Sequence, residues 1–489
     1  MGIEIAQTSF TEDDYAAFRV ALESNLEELG ALLATPGFAE GPGSLGAELE
    51  MYIVDDKGFP LHANQEIQAA LNDPQLTLEL NRYNLEFNLS PYLLSQRPFV
   101  ATEQEVLGKL DSLRDAAREF GGRIVPIGIL PTLRESDFGP HCITDRKRFH
   151  ALVAQLLKRR GGKFRIDIHG EDPLQLDMED ITLEGANTSF QVHYRVNPAE
   201  FADTFNAIQV MTPLAVAIGA NSPTLFGHNL WHETRVPLFK QSIDTRKIDR
   251  YGWNEPPRVN FGQGWVRGGA LELFTEVVRI YPPLLPVCDA AMPSGEGAPP
   301  LSELRLHQGT VWLWNRPVYD DVDGGQLRIE MRALPAGPTP RDMVANAAFL
   351  IGLAEGIRPH LGEMLPAIPF GIAEYNFYRA AQYGLDAEVV WPSPGQSGYR
   401  EQSVCTVIER NLPLAAEGLA RIGIDRGEID LYLGEIERRL ARRRTGASWQ
   451  RARLAALRQN LSDTEALHAM LEEFMAFSAA NLPIAEWQL

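Results

Sequence analysis

Carboxylates set among core residues constrain this chain more than any other feature of its sequence. Leu78-Glu79-Leu80 and Leu85-Glu86-Phe87-Asn88-Leu89 each hold an acid inside a strongly apolar stretch. A buried acid is costly unless it is paired or bound to a metal. Glu48 and Glu50 flank Leu49 within Leu45 to Val54, which reads as a strand. Side chains two apart on a strand share a face, and two carboxylates on one face repel unless a cation lies between them. If Asn81 to Asn84 turn a hairpin, Glu79 and Glu86 become cross-strand neighbours. Plain alternation, with each acid facing water, would account for any one of these segments alone.

Two further segments extend the pattern. In Thr188 to Val196, Phe190, Val192 and Tyr194 alternate with Gln191, His193 and Arg195. In Leu327 to Ala333, Glu330 and Arg332 share a face. Singly, these read as a structural histidine and an ordinary charged strand. Together the segments offer the carboxylates Glu48, Glu50, Glu79, Glu86 and Glu330 with one imidazole. Oxygen-rich ligand sets with few cysteines favour Mg²⁺ or Mn²⁺ over zinc. A sheet face carrying acids and an arginine suits phosphoryl transfer, in which metals neutralise phosphate charge and arginine meets the transferred group.

The remaining signals narrow the class. A net charge of −20 argues against nucleic acid as a partner. Three scattered cysteines, Cys142, Cys288 and Cys405, form no CxxC, so neither a disulfide framework nor a zinc cluster is expected. The start, Met1-Gly2-Ile3-Glu4, runs into Thr11-Glu12-Asp13-Asp14 and does not resemble a signal peptide. The most apolar run, Val210 to Ile218, is too short to span a bilayer and contains Pro213. A cytoplasmic protein follows as the expectation. GxGxxG at 41–46 precedes a strand, the wrong context for a dinucleotide fold, and no Walker A sequence occurs. His228 and His232 sit four apart, but Gly227 and Pro237 disfavour the helix a zinc pair would need. The basic run Arg438 to Arg444 interleaves with Glu435, Glu437 and apolar residues, as a solvated helix face does.

Helices are expected from Thr11, from a capping box at Thr102 and Glu105, over about Pro198 to Ala220, from Thr339-Pro340, and through most of the chain after Val404, with a second capping box at Ser462 and Glu465. Strands mostly precede a helical tail, so the class is α+β. The Pro-rich segment from Trp391 to Gly398 marks the expected boundary between a domain over 1–390 and a helical C-terminal region over 391–489.

The order of these segments resembles the glutamate–cysteine ligase family, including its plant-type and carboxylate–amine ligase branches. The resemblance runs over about Gly46 to Gly356. Its pieces are Gly46-Ala-Glu-Leu-Glu, Glu79 with Glu86-Phe-Asn-Leu-Ser-Pro, Asn187-Thr-Ser-Phe-Gln-Val-His193, Gly219-Ala-Asn-Ser-Pro, Glu233-Thr-Arg235 with Asp244 and Arg246, and Arg328-Ile-Glu-Met-Arg332. The resemblance implies a glutamine-synthetase-like fold, in which a curved antiparallel sheet flanked by helices forms a funnel with ATP and the amino acids entering from opposite ends. It implies Glu48, Glu50, Glu79, Glu86, His193 and Glu330 as metal ligands, Arg332 and Gln191 toward the nucleotide and its transferred phosphate, and Arg235 toward a substrate carboxylate. Two departures stand out. Leu334-Pro335 stand where the family places an acid after Glu-Met-Arg, and Glu233 replaces the serine of a Ser-x-Arg segment.

The implied chemistry is ATP- and Mg²⁺-dependent ligation of glutamate to an amine, cysteine first, through an acyl phosphate. The Trp- and Gly-rich middle, such as Asn260 to Gly269, is the expected lid. Rivals are a ligase or kinase of the same fold acting on other small molecules, a non-catalytic nucleotide-binding regulator, and a zinc hydrolase built on His228 and His232.

Overall fold

A computed structural model describes residues 5, 7–246, 255–288, 297–392 and 399–489. Met1 to Glu4 and residues 393–398 of the expected domain boundary lie outside the described residues.

Eight strands build one sheet: β1 (Ser44–Val54), β2 (Leu76–Leu78), β3 (Asn84–Asn88), β4 (Tyr92–Leu93), β5 (Arg123–Val125), β6 (Phe190–Arg195), β7 (Asn315–Asp320) and β8 (Gln326–Met331). Their order is β7-β8-β6-β1-β3-β2, with β4 and β5 also paired to β1, and every pairing is antiparallel. The longer helices are α1 (Glu12–Leu33), α2 (Pro98–Arg118), α3 (Lys147–Arg160), α4 (Phe201–Gly219), α5 (Pro340–Ile357), α6 (Phe370–Tyr383), α7 (Val404–Arg421), α8 (Arg426–Arg442), α9 (Gly446–Leu457) and α10 (Asp463–Ala479).

The period-two pattern of the strands sorts the two faces of the sheet. Leu45, Ala47, Leu49 and Met51 of β1 enter one hydrophobic core with Leu85 and Phe87, Phe190, Val192 and Tyr194, and Leu327, Ile329 and Met331. The buried sides of α4 and α5 close that core. Tyr194 of β6 reaches across it to give its hydroxyl proton to Glu355 of α5, 3.0 Å away. The intervening residues, including Glu48, Glu50, Glu86, Gln191, His193 and Glu330, line a cavity on the other face.

Helix starts follow their capping chemistry in most places. Thr11, Thr339 and Ser462 cap α1, α5 and α10, each accepting from a backbone N–H three residues on. Thr102 does not cap. Pro98 starts α2 four residues earlier, as proline in a first helical turn can. Glu105 bonds instead to the Ser90 backbone N–H and hydroxyl, tying α2 to the end of β3. The apolar run at 210–218 belongs to a longer helical stretch, Pro198–Gly219, which by length and composition could cross a membrane; 89% of its apolar window is buried inside the protein. The loop at 260–269 is pinned to α4 through paired bonds between Asn206 and Val266 and does not line the cavity.

The C-terminal helices pack against the same body. α7 crosses α5 so closely that a Cβ on Gly418 would collide with the Gly352 carbonyl and the Gly356 backbone. α8 docks through a buried ion pair, Arg439 Nη2 to Asp342 Oδ1 at 2.7 Å. One arginine of the basic run therefore points inward, where a wholly solvated face was expected. α9 and α10 join a second core around Trp449, Phe474 and Trp487, which also takes Val54, Val125 and Ile127.

The α5–α7 contact yields a matched pair of tests. Gly418→Ala should lower unfolding free energy by about 1–3 kcal/mol through overpacking. Gly108→Ala, in α2 with open space around it, should raise it by about 0.5–1 kcal/mol. Urea unfolding of both variants checks the contrast, and equal effects would mean that the two helices do not touch at Gly418.

Candidate active site

Pairing across the sheet sets the acids in a row. Glu50 on β1 is directly opposite Glu86 on β3, and Glu48 is opposite Gln191 on β6. His193 on β6 faces Glu330 on β8, and Glu330 faces Arg316 on β7. These residues floor a cavity of about 560 Å³.

Glu86 pairs with Thr77, not Glu79, because β2 ends at Leu78. The hairpin register expected for Glu79 is thus not formed. The chain bends after β2 and still brings the Glu79 carboxylate into the row: ligand oxygens of Glu50, Glu79 and Glu86 all lie within 4.8 Å of one another. Glu48, His193 and Glu330 form a second set at the same spacing.

The two sets differ in charge balance. Arg316 clamps Glu330 in a fork, Nε to Oε2 at 2.5 Å and Nη2 to Oε1 at 2.9 Å, and Arg332 lies 3.3 Å from the same carboxylate. Burial opposes the charge on Glu330, but these arginines and His193 outweigh it and hold the carboxyl far below its ordinary range. Glu48 is likewise desolvated yet lowered to about 2, chiefly by His193. His193 Nε2 lies 3.2 Å from Glu48 and 3.7 Å from Glu330, at ion-pair distance. Neither ring nitrogen has a hydrogen-bond partner.

The other set lacks such compensation. Burial and the neighbouring Glu48 push Glu86 up to about 7. Burial, then Glu86, Glu50 and Glu184, push Glu79 well up. Burial raises Glu50 despite Arg332 and Arg235. Three clustered carboxylates with raised pKa values, Glu86 buried and Glu50 and Glu79 half-buried, mark a place short of positive charge, and in the other set His193 stands between two carboxylates. Both donor sets fit a hard divalent cation.

Gln191 couples the sets. Its Nε2 donates to Glu50 Oε1 at 2.9 Å, and its Oε1 accepts from Arg332 Nη1. Ser189 adds two bonds to Glu50 Oε2, from its backbone N–H at 2.6 Å and its hydroxyl at 2.9 Å. Arg235 is not among the lining residues. It is buried, with Nη1 bonded to Glu233 at 3.1 Å and to the Ala333 carbonyl, and Nη2 bonded to the Arg332 carbonyl. Glu233, where a serine was the family expectation, is wholly buried and accepts from Asn221 N–H, Ser222 Oγ and Arg235. Asp244 and Arg246 pair with each other at 2.7 Å, outside the cavity lining.

Sequence reading missed Arg316, Arg305, Arg148 and Glu184, all of which line the cavity. Arg316 lay in a Pro- and Trp-rich segment without clear periodicity; its signal was an arginine on the strand before Glu-Met-Arg. Glu184 lies in a short 3₁₀ turn, Thr182–Ala186, with no pattern to expose it.

The family model for glutamate–cysteine ligase family 2 matches residues 44–473. A relative in Frankia casuarinae, provisionally named glutamate–cysteine ligase 2-1, is 30% identical over 451 residues, covering 88% of this chain and 94% of its own. A relative in Frankia alni with the same provisional name is 24% identical over 377 residues, covering 76% and 78%. The solved structure of glutamate–cysteine ligase from Francisella tularensis in complex with AMP matches with a TM-score of 0.54 at 11% identity, over 92% of this chain and 96% of that one. The fold is glutamine-synthetase-like, a curled antiparallel sheet with helices, as the sequence had implied.

The uncompensated set makes a prediction for the metal-free protein. Adding millimolar Mg²⁺ or Mn²⁺ should raise the thermal midpoint by several degrees, by linkage of binding to folding. Glu79→Gln, which removes repulsion, should leave the metal-free midpoint unchanged or higher and shrink that rise. A full metal-induced rise in the variant would exclude Glu79 as a ligand.

Proposed function

We propose a function from the premise that the chain belongs to glutamate–cysteine ligase family 2: it joins the γ-carboxylate of glutamate to an amine with cleavage of ATP, cysteine being the acceptor that family membership favours. The observation that carries this reading is the row of buried and half-buried carboxylates on one sheet face, met by Arg316 and Arg332 at one end. Such a face suits a reaction whose transition state concentrates phosphate charge.

In the proposed reaction the terminal phosphoryl group of ATP passes to a carboxylate oxygen of the acid, and ADP leaves. The amine nitrogen then bonds to the carbonyl carbon and the C–O bond to phosphate breaks. The departing phosphate takes the proton that the nitrogen loses. Mg²⁺ or Mn²⁺, held by Glu48, His193 and Glu330 and by Glu50, Glu79 and Glu86, would supply Lewis-acid neutralisation of the phosphate oxygens.

The chain's own residues do the rest. Arg332 offers a fixed guanidinium to the transferred group, and Gln191 holds it against rotation. Arg316 keeps Glu330 ionised and in place. Arg235 acts one step removed, as a positioning residue: it grips the carbonyls of Arg332 and Ala333 and so holds the end of β8. Arg305 and Arg328 also line the cavity, each paired with Asp320 or Asp321. Small molecules are the only partners this site calls for. We propose the cytoplasm as its location, where reducing conditions suit three cysteines outside any disulfide.

The test is ADP release with Mg²⁺, ATP and glutamate, with and without cysteine, in wild type and in Glu48→Gln and Glu330→Gln. Release should require both substrates, with γ-glutamylcysteine seen by mass spectrometry. It should fall about a hundredfold or more in each variant, with the fold retained by circular dichroism. Wild-type turnover in either variant would remove the metal assignment, and release with another amine alone would keep the chemistry and change the acceptor.

A further inference from the structure

The loop that brings Glu79 into the row of acids is held from outside the sheet. β2 ends at Leu78, and β3 gives Glu79 no pairing. Residues 142–144 pair with this loop instead. The Leu80 carbonyl accepts from the Thr144 N–H at 2.8 Å, and the Arg82 N–H donates to the Cys142 carbonyl at 2.7 Å. Asn81 and Ile143 form an antiparallel bridge between those two bonds. The Glu79 carbonyl is met by a side chain: the Thr144 hydroxyl donates to it at 2.6 Å.

Thr144 is itself fixed. It is wholly buried, and its hydroxyl oxygen accepts from Asn64 Nδ2 at 2.8 Å. Asn64, also wholly buried, stands at the start of the helix Asn64–Leu71. The same Nδ2 lies 3.2 Å from the carbonyl of Asn84, where β3 begins. With its proton given to Glu79 and a lone pair given to Asn64, the hydroxyl has one orientation. The relay from Asn64 through Thr144 thus sets the peptide plane that follows Glu79, and with it the direction of the Glu79 side chain.

That restraint opposes a repulsion. Ligand oxygens of Glu50, Glu79 and Glu86 lie within 4.8 Å of one another, and like charges so close repel. Glu50 and Glu86 face each other on paired strands and cannot part. Glu79 stands on a loop, so it is the member that repulsion can move. Three ligands held together before an ion arrives bind it more tightly than two with a third that must be recruited.

We propose that Thr144, backed by Asn64, is a positioning residue for the Glu50–Glu79–Glu86 set, keeping the Glu79 carboxylate within ligand range by way of the Glu79 carbonyl. The inference rests on the metal assignment in the ligase reading above and needs none of its substrates.

The test measures Mn²⁺ binding to the metal-free protein by electron paramagnetic resonance, without nucleotide or amino acid. Wild type should bind one ion at each set. Thr144→Val keeps the branched shape and deletes the hydroxyl. It should weaken one ion at least about tenfold, as loss of a ligand's outer partner does, and leave the other within about twofold. Thr144→Ser should restore wild-type binding. Asn64→Ala should weaken the same ion and serves if the valine variant does not fold. In ADP release, Thr144→Val should raise the Mg²⁺ concentration for half-maximal rate at least about tenfold and regain the wild-type rate at saturating Mg²⁺. A threonine that only stabilised the fold would lower the thermal midpoint and move neither reading selectively. Unchanged Mn²⁺ binding in folded Thr144→Val, or equal weakening of both ions, therefore overturns the positioning role and leaves the metal sets standing. No Mn²⁺ bound by wild type removes the sets and this inference with them. Selective loss of one ion in the variant, with no ADP release from wild type under any pairing, removes the ligase reading and leaves the role of Thr144 intact.

Discussion

Six side chains that want charge or water are gathered on one face of a sheet whose other face is the hydrophobic core. That burden shapes the rest of the structure. Each acid must find a cation, and the protein supplies cations unevenly. Arg316 and Arg332 satisfy Glu330, and His193 sits against Glu48. Glu50, Glu79 and Glu86 receive hydrogen bonds or proximity but no full counter-charge, which is why their carboxyls resist ionisation. A fold selected for stability alone would not retain three such groups together; a site built to receive positive charge would.

The supports of this face are themselves buried and polar. Gln191 divides its two ends between Glu50 and Arg332, so displacement of either is felt by the other. Behind Arg332, Arg235 holds the chain by two carbonyls while Glu233 neutralises it from below. That arrangement accounts for one departure from the family pattern. A serine could not balance a guanidinium buried this deeply, and Glu233 does so while also accepting from Asn221 and Ser222. Helix α5 is anchored in the same manner, through Arg439 on Asp342 and through Arg341 on Glu103.

Much of this was legible beforehand, and the parts that were not share a cause. The strands β1, β3, β6 and β8 alternate cleanly, so their faces, their acids and the α+β class could be read from period two. Register could not be read in that way. Glu79 was placed opposite Glu86 by assuming a tight hairpin, whereas Asn81 and Tyr83 are drawn into bonds of their own and the loop bulges. Thr102 and Glu105 match a capping box by spacing, but the proline at 98 sets the helix start and Ser90 claims the glutamate. Arg439 looked solvated because its neighbours are; only the packing of α8 on α5 turns it inward. Apart from the proline at 98, a partner distant in sequence decided the outcome, and local pattern carries no record of it.

Arg316 and Glu184 take that point into the site. Arg316 meets Glu330 because β7 pairs with β8 there, and Glu184 reaches the cavity from a 3₁₀ turn outside the sheet. Neither belongs to a strand segment that the family resemblance rests on. The row of acids is set by strand alternation and is hard to vary without unbalancing charge. The walls opposite it come from turns and from α3, whose apolar residues can change size at little cost to the charge balance. A change of size at such a residue, Leu152 among them, alters the wall of the cavity and leaves the charge balance of the carboxylates as it was.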